Sequence, residues 1–118
     1  MRFTESLKKT ADFRTTYEEG RSKANGLLVL YVRKNGTDRN RLGISVSKKV
    51  GNSVVRHRAK RLIKEAYRLM EPRLKGGYDL VFIARTRAAG RTYYEIEKAL
   101  YDLGQRFDLI ESIEGKDE

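Results

Sequence analysis

The chain is 118 residues long, carries 26 Lys and Arg against 16 Asp and Glu for a formal net charge of +10, and is 39% hydrophobic. Those totals fit one polar but foldable domain over residues 1–118 and leave no room for two ordinary ones. With no cysteine, disulfides and thiolate metal sites are excluded. No apolar run approaches the roughly 18 residues of a membrane span, and "MRFTESLKK" lacks the apolar stretch of about 7–15 residues that a signal peptide needs. A cytoplasmic protein with no membrane contact is therefore expected.

In chain order, a first helix is predicted over Thr10–Glu19, with Thr10 as N-cap and Gly20 ending it. A short extended piece follows at Arg21–Ala24. The run "GLLVLYV" then reads as a strand, with Leu28, Leu30 and Val32 on one face and Leu27, Val29 and Tyr31 on the other. "RKNGTDRN", with its Asn35-Gly36 pair, is a turn signal. The next strand, "RLGISVS", alternates Leu42, Ile44 and Val46 toward the core with a small outer face of Gly43, Ser45 and Ser47.

"GNS" opens a second helix capped by Asn52 or Ser53, and Pro72 marks its end near Met70. "YDLVFIAR" reads as a buried fourth strand. A last helix starts at Thr92, where Thr92 and Glu95 have capping-box spacing, and its stripe of Tyr93, Ile96, Leu100, Leu103 and Phe107 is core. The acidic tail 111–118 is expected to fray. The order α-β-β-β-α-β-α gives an α+β two-layer sandwich: a four-stranded mixed sheet with helices packed on it.

Charge singles out the second helix. Residues 41–75 hold eleven basic side chains and only Glu65 and Glu71 as acids, the footprint of a polyanion partner. At about 100° per residue, Val55, Ala59, Leu62, Ile63, Ala66 and Met70 form one stripe. Arg56, His57, Lys60, Arg61, Lys64 and Arg68 fall on a separate arc, with Arg58 near the far border of the apolar stripe. A solvated helix would carry oppositely charged i,i+4 pairs, whereas Arg56–Lys60–Lys64–Arg68 is a ladder of like charges.

Lys48 and Lys49 stand beside the helix N-terminus, an anion-ready position, but "SKKVGNS" lacks the spacing of a nucleotide-binding loop. Phe13, Tyr17 and Tyr31 either pack in the core or form a platform on which single-stranded bases stack. Composition alone does not separate DNA from RNA. No paired carboxylates, catalytic triad or metal-ligand cluster is evident, and a lone His57 cannot build a metal site, so no catalytic residue is assigned.

The stretch "RLGISVSKKVGNSVVRHRAKRLIKEAYR" closely resembles the signature of the protein subunit of bacterial ribonuclease P, an S-K-K-x-G-x-A/S-V-x-R-N-R-x-K-R helix. "ADFRTTYEEGRSKAN" and "YDLVFIAR" also resemble that family's first helix and last strand, so the likeness covers most of the chain. The resemblance implies a basic protein that assembles with a large catalytic RNA and helps it remove the 5′ leader of precursor tRNA. The chemistry would lie on the RNA, whose holoenzyme requires Mg2+, with no cofactor on the protein and no DNA partner.

It also implies RNA contacts by Arg56, His57, Arg58, Lys60, Arg61 and Lys64, approached by Lys48, Lys49 and Asn52. A leader-binding cleft would be lined by Phe13, Tyr17, Tyr31, Ser45 and Lys49. A left-handed crossover through the basic helix is implied as well, against the usual right-handed rule. His57 departs from the family's central asparagine. An imidazole gains charge as pH falls and an amide does not, so RNA affinity should depend more on pH than in a His57→Asn variant. The competing readings are a stand-alone RNA-binding or ribosomal-type protein with no role in cleavage, and a protein-only nuclease, which would need a carboxylate cluster.

Overall fold

Alternation builds the sheet. In a computed structural model that describes residues 4–111, five strands form one sheet: β1 (Thr4–Ser6), β2 (Arg21–Ala24), β3 (Leu28–Lys34), β4 (Asn40–Ser45) and β5 (Tyr78–Ala84). Three helices accompany it: α1 (Thr10–Glu19), α2 (Ser53–Met70) and α3 (Tyr93–Arg106). The strand order is β1-β4-β5-β3-β2. β3 runs antiparallel to β2 and β5, while β4 is parallel to β1 and β5. β4 and β5 are therefore parallel neighbours joined through α2.

Register sorts the side chains into two faces. Leu28, Leu30 and Val32 stand opposite Ala84, Phe82 and Leu80, and Leu42 stands opposite Leu80. All of these are buried in one cluster with Ile63, Tyr67 and Met70 of α2 and Ile96, Leu100 and Leu103 of α3. The expected two-layer sandwich is the sheet with α2 and α3. The other face presents Tyr31, Val81 and Gly43 in one row and Arg33, Asp79 and Arg41 in the next, and α1 crosses it.

The expected four strands become five. β1 is only three residues long and pairs in parallel with Asn40–Leu42, so no local periodicity announces it. It is held by the buried Thr4, whose hydroxyl shares a 2.7 Å hydrogen bond with the Tyr67 phenol. Burial pushes that phenol up to about 12, against the opposing effect of the Thr4 bond.

Helix α1 is capped by Lys9, not Thr10. Thr10 is already helical, and the Lys9 carbonyl accepts from the Asp12 and Phe13 N–H groups. For α2 the cap is Asn52, whose side chain accepts from Val55 N at 3.0 Å. Thr92 and Glu95 close the capping box expected for α3. β4 stops at Ser45, two residues short of "RLGISVS", and a 3-10 turn over Lys48–Val50 buries Val50. The tail from 112 to 118 lies outside the described residues. Among the described residues no helix is long and apolar enough to cross a membrane.

Candidate nucleic-acid interface

The chemistry of α2 follows from its two faces. Ala59, Ile63, Ala66, Tyr67 and Met70 are buried, which turns the opposite arc to solvent. There, His57, Lys60, Arg61 and Lys64 are exposed and make no hydrogen bond or ion pair among the described residues. Other cations of the arc have local partners. Arg56 is half-buried and donates through Nε to the Gly51 carbonyl at 3.2 Å. Arg58 reaches across to the Arg91 carbonyl at 2.9 Å. Arg68 forms a two-pronged ion pair with Glu65, holding that carboxyl below its usual range. The predicted ladder thus ends at Lys64, and its last rung carries a compensated charge.

Lys48 and Lys49 are exposed on the 3-10 turn that joins β4 to α2. Beyond that turn a groove of about 400 Å³ is lined by Ile44, Ser45 and Val46 from the end of β4 and by Ser53, Arg56, His57 and Lys60 from α2. It opens because β1 ends at Ser6, opposite Leu42, so the outer edge of β4 beyond Leu42 has no strand beside it. Ser53 enters the site only as a groove wall, a position that depends on the turn geometry and carries no motif of its own.

On the opposite face of the sheet, α1 brings its aromatics over the small positions of β4. Phe13 sits on Gly43: a Cβ there would lie 2.7 Å from the ring. The Phe13 and Tyr17 ring centroids are 6.4 Å apart, and Tyr17 meets Tyr31 edge to face at 5.0 Å. Partial burial raises the Tyr17 phenol, opposed by a hydrogen bond with the Ser45 side chain. Phe13, Tyr17, Tyr31 and Ser45 therefore form one cluster, with Ser45 common to the groove beside α2. Lys49, the fifth expected member, is exposed on the 3-10 turn that follows β4.

A charged row holds α1 in place. Asp79 is 1% exposed and accepts from Arg41 at 2.8 and 2.7 Å, from Asn35 at 3.0 Å and from Arg33 at 3.3 Å. Burial alone would raise its carboxyl, but these donors and the two guanidinium charges hold it below the usual range. The same arginines grip α1: Arg41 pairs with Asp12 at 3.3 Å and Arg33 with Glu19 at 3.1 Å. No local sequence signal announces this clamp, because it depends on which strands become neighbours. Among the described residues no three His, Asp or Glu side chains gather where they could share a metal ion.

A family model described as Ribonuclease P matches residues 1–108. The "Ribonuclease P protein component" of Alkaliphilus metalliredigens is 53% identical over 93% of this chain and 99% of its own length. Among solved structures, a Staphylococcus aureus RNase P protein mutant with defective mRNA degradation activity superposes with a TM-score of 0.84. It is 37% identical, covering 89% of each chain. The RNase P protein of Thermotoga maritima superposes with a TM-score of 0.80 at 32% identity, covering 86% of this chain and 96% of that one.

Proposed function

The chain belongs to the ribonuclease P protein family, whose part in tRNA 5′ processing is played together with an RNA subunit, and from that premise we propose how its two surfaces divide the work. The exposed cations of α2, with Lys48 and Lys49, bind the catalytic RNA. The cleft of Phe13, Tyr17, Tyr31 and Ser45 holds the single-stranded 5′ leader of precursor tRNA. The observation that carries this reading is the shared position of Ser45, which opens both onto the aromatic cleft and onto the groove lined by Arg56, His57 and Lys60. A strand leaving the cleft meets positive charge without crossing the core.

On this reading the residues bind and orient. Stacking on an aromatic ring contributes about 1–3 kcal/mol per base and tolerates any base, which suits leaders of varied sequence. The α2 cations lower the repulsion between two polyanions and release their counterions, so affinity falls steeply with salt. Hydrolysis and its magnesium ions stay with the RNA.

The test is cleavage of a 5′-extended precursor tRNA by a bacterial ribonuclease P RNA at low magnesium, with and without this protein. Restored processing at the correct 5′ end, with the protein inert alone, supports the proposal. RNA binding without any gain in cleavage would favour a stand-alone RNA-binding module. A second reading takes its support from the Staphylococcus aureus mutant described by its defective mRNA degradation activity: a family member acting on mRNA. Cleavage of an mRNA by this chain without the catalytic RNA would favour it.

A further inference from the structure

The first turn of α3 carries an aromatic that neither the core nor the cleft uses. Tyr94 is 76% exposed. Its neighbour Tyr93 packs against the core cluster and donates its phenolic proton to Glu97 at 3.2 Å. The two rings meet edge to face with centroids 5.7 Å apart, so Tyr93 props Tyr94 from the side. The turn beneath is pinned as well: Thr92 Oγ1 accepts from Glu95 N at 3.2 Å, and the Glu95 carboxylate accepts from Thr92 N at 3.0 Å. A large ring is held out in water on a rigid mount.

Arginines of α2 approach this turn. Arg58 is bonded to the Arg91 carbonyl at the entrance to α3, and the Glu65–Arg68 pair acts on the Tyr93 phenol. Arg58, Arg61 and Glu65 are spaced to share one stripe of α2, which places Arg61 between those two contacts, exposed and without a partner among the described residues. The nearby acids are engaged: Glu95 by the cap and Arg91, Glu97 by Tyr93, and Glu65 by Arg68.

We infer that Tyr94 is a stacking platform for one unpaired RNA base, whose flanking phosphates are held by Arg58 and Arg61. The inference rests on the RNA-binding reading above, but the contact is separate from the leader cleft, which lies across the sheet. A duplex does not fit the site, because an aromatic face takes a base only when it is out of its stack.

The chain has no tryptophan, so Tyr94→Trp installs a single fluorescent reporter at the site. On titration with a bacterial ribonuclease P RNA its emission should be quenched. Tyr94→Ala should bind that RNA about 5- to 150-fold more weakly, while Tyr94→Phe keeps the affinity. An unquenched tryptophan, together with unchanged affinity in Tyr94→Ala, would overturn the platform and leave the RNA-subunit reading standing. Equal losses in Tyr94→Ala and Tyr94→Phe would assign the contact to the hydroxyl and overturn stacking. Failure of the unsubstituted protein to bind the RNA would overturn both.

Discussion

Gly43→Ala tests the floor of the cleft with one methyl group. The added Cβ would lie 2.7 Å from Phe13 Cε1 and Cζ and 3.3 Å from Leu7 Cδ2, so the ring must lift by about 1 Å to reach ordinary van der Waals contact. Helix α1 cannot simply slide away with it, because Thr16 is fully buried and Arg41 and Arg33 hold Asp12 and Glu19. The strain falls on Phe13, whose off-rotamer cost of about 0.5–1.5 kcal/mol is one part of the usual overpacking cost of about 1–3 kcal/mol. At roughly 4 °C per kcal/mol, thermal unfolding followed by circular dichroism should drop by about 4–12 °C. On the proposed function, the holoenzyme should also lose part of its preference for precursor tRNA over mature tRNA, while affinity for the catalytic RNA, proposed to bind across the sheet, is kept. A second change, Phe13→Leu, should recover part of the stability. An unaltered melting temperature, with leader preference intact, would refute the seat of Phe13 on Gly43 and its part in the cleft.

Three further outcomes are expected. Asp79 is held below the ordinary carboxylate range, so it stabilises the fold above its unfolded value near 3.9, and that contribution is lost as pH falls through the lower native value. Urea unfolding between about pH 5 and 2 should therefore lose stability more steeply in the parent protein than in Asp79→Asn; parallel profiles would remove the carboxylate from the clamp. Thr92→Ala breaks the capping box of α3 and should cost about 0.5–2 kcal/mol in chemical denaturation, a stability change absent from a neighbouring Glu97→Gln control. Lys60→Ala and Lys64→Ala should each reduce the slope of log affinity for RNA against log salt by about 0.7–0.9, whereas the double change Arg68→Ala, Glu65→Ala swaps one neutral pair for another and should leave the slope in place.

The elements that can be read from the sequence are those whose signals are local. α2 and α3 show because Asn52, Thr92 and Glu95 sit at cap positions and the apolar stripes repeat at helical spacing. β3 and β4 show because they alternate, although β3 begins at Leu28, one residue after the first leucine of its run: the Asn25 side chain accepts from both the Leu27 and Leu28 N–H groups and bends the chain just before the strand. β1 is invisible because three residues have no periodicity and their partner strand lies beyond α1, β2 and β3. The cleft was only half legible. Gly43 and Ser45 announced a small face, but which helix would cover it depends on Asp79 drawing Arg41 and Arg33 together from two strands. Arg68 and Glu65 have pairing distance in the sequence, yet only the folded side chains show that this rung of the ladder is spent.

The remaining ladder can be weighed against what holds its helix. Arg56–Lys60 and Lys60–Lys64 are two like-charge contacts at i,i+4, costing about 0.2–0.5 kcal/mol each. The other face buries Ile63 and Tyr67 completely and Met70 to 6% exposure, and each such side chain stabilises by about 1.5–3 kcal/mol, as an upper estimate. The helix therefore stands without any partner for its charge, and the lysines are not what keeps it folded. Removing Lys60 and Lys64 together should consequently leave stability unchanged or slightly higher while RNA affinity falls. Opposite signs in the two measurements separate a binding surface from a structural one. A protein that lost stability along with affinity would show that the lysine stems pack on the fold, and the salt dependence would then no longer report on phosphate contacts alone.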